Sequence, residues 1–438
     1  MDMNAHTGFW DAADYGNTPR FNSKNSLNIF INEKDKNILR KYATRVAELA
    51  NRNIESEKRK LWYCLNSLKP SKPLVFCDPE GGWNEIIRED MLECKGELAK
   101  RWEIVLRKEI FWGEYLKDDK VIEGYFEISH IFNESNWGLE AIRHGGDNGG
   151  SYVWDAPLKA YRDIEKLKYP EITVDYKKTI ELYELAKDTF LDLLEVKIRD
   201  VWWWSLGMTD ILLLLRGMEN VMIDMSDNPS FIHEIMSFIS NGIMNKINFL
   251  ERNGLLSLNK EAYVGSGGFG YTDELPKDNY RIENVRTIDM WGFSESQESV
   301  GISPKMFNEF IFKYQLPILK LFGLNCYGCC EPLDNKLDII KKIPNLRRVS
   351  VSPWSDKKKM ADNLGNKYVY SMKLIPTNIN ILLDNEEAVR TKIKNLLIIT
   401  KDCPVEIILK DILTINQNPE KLIKIISVIK EEIEKLFC

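Results

Sequence analysis

Three of the chain's eight cysteines lie within five positions of one another. They are Cys326, Cys329 and Cys330, and Glu331 follows them directly. Thiolates ligate zinc, and a thiolate in a polar setting is a strong nucleophile. The pattern therefore predicts metal ligation or a reactive thiol. Two alternatives are buried packing, the commonest role of a free cysteine, and a Cys-x-x-Cys redox pair.

Charged residues follow several of the chain's short apolar runs. Lys373 and Lys410 each end a late run, and Asp411 adjoins Lys410. A lysine at the end of a buried strand projects into a cavity, so we predict that both lysines anchor substrate or pair with Asp411 or Glu331. Glu295 and Glu298 follow the apolar run at 287–293 in the same way. We predict a catalytic role for Glu295, Glu298, Lys373 and Lys410.

Aromatic residues occur beside acidic ones in the same parts of the chain. Packing is the simplest role for the tryptophans, including the three consecutive ones at 202–204. The alternative is a substrate pocket for a cationic, methylated-amine or aromatic methyl ether group. The predicted substrate-binding residues are Asp78, Glu80, Trp83, Trp204, Trp291, Trp354 and His144. His144 lies in a glycine-rich loop, where an exposed histidine without a chemical role is the alternative.

The elements that would position these residues alternate between strand and helix. Eight short apolar runs predict strands at 73–77, 201–206, 262–265, 287–293, 324–328, 348–351, 368–372 and 405–409, and 379–383 is a competing candidate. Helical spacing predicts helices at 176–196, 229–251, 304–321, 335–342, 356–364 and 419–437. Such alternation favours parallel pairing, and eight units predict an α/β fold of the (β/α)8 TIM barrel type. Catalytic side chains would then follow the carboxyl ends of the strands.

The start of the chain precedes this pattern. We predict an N-terminal arm and helix over 1–71, with the helix at 34–68, and the barrel over 72–438. The segment GSGGFG at 265–270 matches a dinucleotide-binding pattern, but no helical pattern follows it. We therefore predict a flexible loop at the mouth of the barrel.

Composition excludes several classes of function. The chain has 438 residues with 44% hydrophobic residues and a net charge of −6, so it can bury a large core and lacks the basic character of a nucleic-acid-binding protein. The longest apolar stretch, 201–215, contains Asp210 and is too short to cross a bilayer. We expect a cytoplasmic protein without a nucleic-acid or membrane partner.

Several stretches resemble the uroporphyrinogen decarboxylase superfamily, which includes cobalamin-dependent methyltransferases. They are VWWWSLGMTDILLLLRGMENVMIDMSDNPSFIHEIMSFI at 201–239, DMWGFSESQESVGISPKMFNEFIFKYQLPILKL at 289–321, the stretch at 325–373 that begins NCYGCCEP, and KDILTINQNPEKL at 410–422. The resemblance covers the chain from about residue 72 onward. It implies a TIM barrel with its active site at the mouth.

Departures from the family narrow the implied activity. Uroporphyrinogen decarboxylases carry an Arg-Gln-Ala-Gly-Arg run after the first strand, whereas this chain has DPEGGW at 78–83. Its two carboxylates would repel a polyanionic porphyrinogen. The methyltransferase branch instead binds zinc through a His-x-Cys pair and a later cysteine. Here Cys329 matches, but Tyr327 replaces the histidine and Lys410-Asp411 stands at the later position.

The resemblance therefore implies a methyltransferase that moves a methyl group between a small methylated substrate or a thiol and a corrinoid. The predicted metal is zinc, and its predicted ligands are Cys329, Cys330, Glu331 and Asp411. No Asp-x-His-x-x-Gly corrinoid motif occurs in the chain, so the corrinoid would be carried by a separate protein. A second copy of the chain, in a homodimer, is a further partner that we consider. The alternatives are a decarboxylase or other lyase for a non-porphyrin acid, and an inactive binding barrel.

Overall fold

The computed structural model describes residues 28–145, 152–374 and 386–437. Most of the N-terminal arm, the glycines that follow Gly145 and the competing strand at 379–383 lie outside the described residues.

Twelve strands occur in the described ranges. They are β1 (Leu74–Cys77), β2 (Tyr125–Ile128), β3 (Phe132–Glu134), β4 (Ile142–Gly145), β5 (Tyr152–Asp155), β6 (Ile172–Val174), β7 (Glu195–Ile198), β8 (Trp291–Ser294), β9 (Leu324–Tyr327), β10 (Leu346–Val351), β11 (Val369–Lys373) and β12 (Val405–Leu409).

The same ranges contain fourteen α-helices. They are α1 (Glu33–Ala50), α2 (Asn53–Asn66), α3 (Trp83–Ile86), α4 (Glu97–Phe111), α5 (Tyr176–Phe190), α6 (Thr209–Arg216), α7 (Met218–Asp227), α8 (Pro229–Arg252), α9 (Pro304–Phe307), α10 (Lys313–Leu319), α11 (Leu337–Ile340), α12 (Lys357–Leu364), α13 (Glu386–Ile399) and α14 (Pro419–Phe437). A π-helical turn, Asn308–Phe312, joins α9 to α10.

A parallel sheet of six strands forms the centre of this mixed α/β protein. Its strand order is β1, β12, β11, β10, β9, β8, so the first strand of the chain pairs with the last. Every residue of β1, β8, β9, β11 and β12 is buried, which explains why these strands are continuous apolar runs in the sequence. The six corresponding predicted strands are confirmed.

Two predicted strands are wrong. Residues 201–206 form no strand, and 262–265 form only an isolated bridge between Tyr263 and Phe269. The nearby strand is β7, which lies partly in the predicted helix 176–196 and pairs in parallel with β2. In the 201–206 segment Trp202 is buried and its indole N–H donates to the carbonyl of Leu255, so this apolar run packs against a loop.

Helices at both ends of the described chain belong to the core that surrounds the sheet. The predicted helix 34–68 is two helices, because the chain turns at Asn51 and Arg52 between α1 and α2. Their buried residues, including Leu39 and Trp62, belong to the same hydrophobic core as the sheet. At the other end α14 covers β1 and packs against α13, as its apolar spacing predicts. No helix in the described ranges is both long enough and apolar enough to cross a membrane.

The glycine-rich segment 265–270 is buried inside the protein. Gly268 N–H donates to Glu406 Oε1 on β12 at 3.1 Å, and Arg348 on β10 donates to the Phe269 carbonyl at 3.0 Å. Gly268 and Phe269 thus lie against the amino-terminal halves of these strands, whereas Ser266 hydrogen-bonds the Cys329 thiol at their carboxyl ends. Because residues 266–270 are buried, the segment is not the open, flexible loop that the sequence predicts. Its glycines allow backbone to approach side chains closely.

Gly268→Ala is expected to lower the free energy of unfolding by roughly 1–3 kcal/mol, since an added methyl group overpacks a full core. A Cβ there would lie 2.3 Å from Trp62 Cη2 and 2.9 Å from Glu406 Oε2. Urea denaturation measures the effect. Gly301→Ala is the matched control, because nothing lies within 4 Å of its added Cβ. Equal stability of the two variants would contradict the packing argument.

Candidate active site at the carboxyl edge of the sheet

Five polar residues that follow strands of the parallel sheet lie together at one edge. Glu80 follows β1, Cys329 and Cys330 follow β9, and Lys410 and Asp411 follow β12. We call this group the carboxyl-edge site. Cys330 Sγ lies 3.8 Å from Asp411 Oδ2, and Asp411 N–H donates to Glu80 Oε2 at 3.0 Å. The arrangement follows from the parallel sheet, whose strands all end at the same edge.

The two thiols of this site differ in exposure and in acidity. Cys329 is 7% exposed, Cys330 is exposed, and their sulfur atoms are 3.5 Å apart. The hydrogen bond with Cys330 lowers the pKa of Cys329 despite burial, and the charge of Lys410 lowers it further. The same hydrogen bond raises the pKa of Cys330, with burial as the second cause. Of the two thiols, Cys329 is therefore the more acidic.

Serine side chains fix the backbone that carries the thiols. Ser350 Oγ donates to the Cys329 carbonyl at 2.9 Å, and Ser352 Oγ donates to the Cys330 carbonyl at 2.7 Å. Both serines lie on or just after β10, the neighbour of β9. The chain turns at Gly328, whose φ of +95° suits glycine. The thiols thus stand on a backbone that the sheet holds in place.

Glu80 and Lys410 form the acid–base pair of the site. Lys410 Nζ lies 3.3 Å from Glu80 Oε1, and the lysine is 6% exposed. Burial raises the pKa of Glu80 to about 7, with Asp78 and Asp411 adding to the rise and Lys410 opposing it. A carboxyl group with that pKa is about half protonated at neutral pH, so it can donate or accept a proton there.

Lys373 is a second buried lysine at this edge. It ends β11, is 7% exposed, and its Nζ lies 3.5 Å from Ser371 Oγ. Burial lowers its pKa to about 8, and Lys410 contributes to the shift. In the described ranges no carboxylate pairs with Lys373, and Lys410 pairs with Glu80. The predicted ion pair of Lys373 with Asp411 or Glu331 is therefore not formed, while Lys410 pairs with Glu80 because β12 lies beside β1.

Glu331 turns away from the thiols toward the backbone. Its Oε1 accepts from Ser296 N–H and its Oε2 from Cys329 N–H, each at 2.9 Å. That leaves Cys329, Cys330 and Asp411 as donors, and the described residues contain no group of three or more His, Cys, Asp or Glu arranged to hold a metal ion. The predicted zinc site therefore stays a prediction.

Glu295 and Glu298 belong to a second acidic group, in which Glu295 is buried and Glu298 is half-buried. Glu295 accepts from Ser205 Oγ at 3.1 Å and from Gln297 N–H at 2.9 Å, while Glu298 accepts from Thr209 Oγ1 at 2.6 Å. Burial raises the pKa of Glu295 far above its usual value, with Glu298 as the next cause. Both carboxyl groups are thus engaged by protein donors.

The remaining predicted residues lie in different environments. Trp83 Nε1 donates to Asp78 Oδ1 at 2.8 Å. Trp204 and Trp291 line one cavity, of about 660 Å³, whereas Trp354 is 72% exposed. His144 lies on the exposed hairpin of β4 and β5, 3.0 Å from Asp155.

The structure also pairs residues that the sequence pattern did not single out. His130 Nδ1 lies 2.6 Å from Asp200 Oδ2, and each residue stands two positions after its strand, β2 or β7. Those two strands were not predicted, so the strand-end rule could not find the pair. A second cavity, of about 740 Å³, is lined by Asp78, Glu261 and Tyr263 among others.

A comparison of the chain with protein-family models and with curated proteins finds no match. The resemblance to the uroporphyrinogen decarboxylase superfamily therefore stays a prediction.

Proposed function

We propose that the protein is a methyltransferase related to the uroporphyrinogen decarboxylase superfamily. It would move a methyl group between a small methylated substrate or a thiol and a corrinoid carried by a separate protein. The observation that carries the proposal is the Glu80–Lys410 pair beside the thiols of the carboxyl-edge site. Glu80, with a pKa of about 7, can donate a proton at neutral pH, and the site is exposed to solvent at Cys330. Both features suit a methyl transfer that needs a proton.

The proton is needed at the atom that loses the methyl group. When the bond from carbon to nitrogen or oxygen breaks, its electron pair stays on the heteroatom, and Glu80 would donate a proton to that atom. When bound, the corrinoid would supply the electron pair that forms the new bond to the methyl carbon. Lys410 would then stabilise the Glu80 carboxylate, and Glu80 regains its proton from solvent.

The fold proposed for this function is a closed barrel. Two contacts at the edges of the six-stranded sheet support it. Asp119 N–H, before β2, donates to the carbonyl of Val75 in β1, and Leu206 N–H, after β7, donates to the carbonyl of Phe293 in β8. The pair β2–β7 would thus complete the ring between the two edges.

A large corrinoid also fits the surface beside the carboxyl-edge site. Trp354, which follows β10, and Leu413, which follows β12, are 72% and 82% exposed. They offer apolar surface at the edge where Cys330 is exposed, so a planar ring held by another protein could approach there.

Spectroscopy with reduced cobalamin tests this function. The purified chain is mixed with cob(I)alamin and, in turn, with methylated amines, methyl ethers and methyl thioethers, and the appearance of methylcobalamin is followed by absorbance. We expect at least one donor class to react faster with the protein present. Lys410→Met should remove most of the acceleration, while Lys187→Met, a lysine on the exposed face of α5, should retain it.

A second function is favoured by Lys373. A buried cation without a carboxylate partner in the described ranges suits a substrate carboxylate, as in a decarboxylase or lyase. Carbon dioxide release from a carboxylic acid, with no methyl transfer from any donor class, would replace the methyltransferase by this function.

A further inference from the structure

The cavity of about 740 Å³ adjoins the carboxyl-edge site. Asp78 lines it and stands two positions before Glu80, and Tyr263 lines it as well. Lys410 Nζ lies 4.8 Å from the centre of the Tyr263 ring. The cavity is thus separated from the Glu80–Lys410 pair by the Tyr263 ring and by Asp78. We call it the acidic cavity, because its wall contains more carboxylates than cations.

Carboxylates outnumber cations in the wall of the acidic cavity. The carboxylates are Asp78, Glu109, Glu123, Glu127 and Glu261, and the cations are Lys108, Lys120 and Arg199. Three of the carboxylates already have partners: Glu109 pairs with Lys120 at 2.5 Å, Glu127 with Arg199 at 2.8 Å, and Glu123 with Arg59 at 2.7 Å.

Asp78 and Glu261 are the two carboxylates that remain. Asp78 accepts from Trp83 Nε1 and from Glu80 N–H, and in the described ranges neither Asp78 nor Glu261 forms an ion pair. The five carboxylates of the wall face four cations, namely Lys108, Lys120, Arg199 and the neighbouring Arg59, so one negative charge remains in excess. A bound ligand with a single positive charge would neutralise it.

Aromatic rings complete the wall and already face positive groups. Lys120 Nζ lies 4.8 Å from the centre of the Trp112 ring, and the Arg199 guanidinium lies 5.4 Å from that of Tyr125. Tyr271, Phe76 and Phe269 also line the cavity. Aromatic faces attract alkylammonium groups, because the ring quadrupole is negative above the ring plane.

We propose that the acidic cavity binds a small organic cation, an alkylammonium or methylated amine, through Asp78, Glu261 and the aromatic wall. The inference rests on the proposed function, to which it adds the substrate class. A cationic amine leaves as a neutral product once its methyl group is transferred, so Glu80 would serve as proton donor only for the neutral form of the amine.

Calorimetric titration tests the inference without corrinoid. The probes are choline and 3,3-dimethylbutan-1-ol, which has the same shape but carries carbon in place of the charged nitrogen. We expect choline to bind with a Kd at least tenfold lower than that of the alcohol. Glu261→Gln should weaken choline binding at least fivefold and leave the alcohol unchanged, and Asp78→Asn should act in the same direction. Glu171→Gln, an exposed site outside the cavity, is the control and should bind choline like the wild type.

The outcomes separate this inference from the proposed function. Equal affinity for the two probes, or choline binding that Glu261→Gln and Asp78→Asn leave unchanged, overturns the cation site. Charge-selective binding that both variants weaken supports the site even if no donor class yields methylcobalamin, a result that would overturn the methyltransferase alone. Methyl transfer from neutral ethers without choline binding would keep the function and overturn the cation site.

Discussion

Arg348→Met should lower the free energy of unfolding by about 3–5 kcal/mol, the typical cost of breaking a buried ion pair from one side. Arg348 is 1% exposed, and its Nε lies 3.1 Å from Oε1 of Glu406, which is 0% exposed. The guanidinium also donates to Asn66 Oδ1 at 2.9 Å. The variant leaves the Glu406 charge buried without its partner. Urea denaturation, monitored by tryptophan fluorescence, measures the loss.

The double variant Arg348→Met/Glu406→Met distinguishes a lost charge pair from lost packing. With both charges removed, we expect it to be more stable than Arg348→Met alone, because no buried carboxylate remains unpaired. Arg162→Met, at an exposed position, is the control and should change stability by less than about 0.5 kcal/mol. A double variant less stable than the single one would contradict the argument.

This ion pair also marks a limit of prediction from the sequence. The strands β10 and β12 were predicted because buried parallel strands are continuous apolar runs. Arg348 and Glu406 interrupt those runs, and their pairing depends on side chains that meet across β11. The composition of the glycine-rich segment predicts a loop at the mouth of the barrel, but it does not reveal that Gly268 and Phe269 reach Glu406 and Arg348 inside the fold.

The carboxyl-edge site was predicted in its members but not in its pairings. A strand-end rule brings Glu80, Cys330, Lys410 and Asp411 to one edge without knowledge of strand order. The Glu80–Lys410 pair needs that order, because β1 and β12 are the first and last strands of the sheet. Glu331 is predicted as a metal ligand because it follows the thiols in the sequence. The sequence does not reveal that two backbone N–H groups donate to its carboxylate.

Strands β2 and β7 were missed for a different reason. In β7 exposed or half-buried charged residues alternate with Val196 and Ile198, so the run has little apolar continuity and directly follows the helical pattern of α5. The tryptophan-rich run after it is far more apolar and was predicted as the strand. Burial of that run comes from α8 and the loop after it, as the Trp202–Leu255 hydrogen bond illustrates. The His130–Asp200 pair was missed with these strands.

Glu80→Gln should reduce methyl transfer from a tertiary methylamine that is bound in its neutral form by roughly 10²–10⁴-fold, the usual contribution of a positioned proton donor. Glutamine keeps the shape of the side chain but has no ionisable proton. In the wild type the carboxyl pKa is about 7, so the acid form is depleted as the pH rises through that value. The wild-type rate should fall over this range, and the rate of the variant should be flat there. Initial rates of methylcobalamin formation between pH 5.5 and 9 measure both effects.

A quaternary ammonium donor provides the decisive control for Glu80. Its nitrogen already has four carbon substituents and leaves as a neutral amine, so its methyl transfer needs no proton from the protein. If Glu80 supplies the proton, Glu80→Gln should impair transfer from the tertiary amine and spare transfer from the quaternary one. An equal loss with both donors would mean that Glu80 acts through its charge or its contact with Asp411 N–H, and the role of proton donor would be withdrawn.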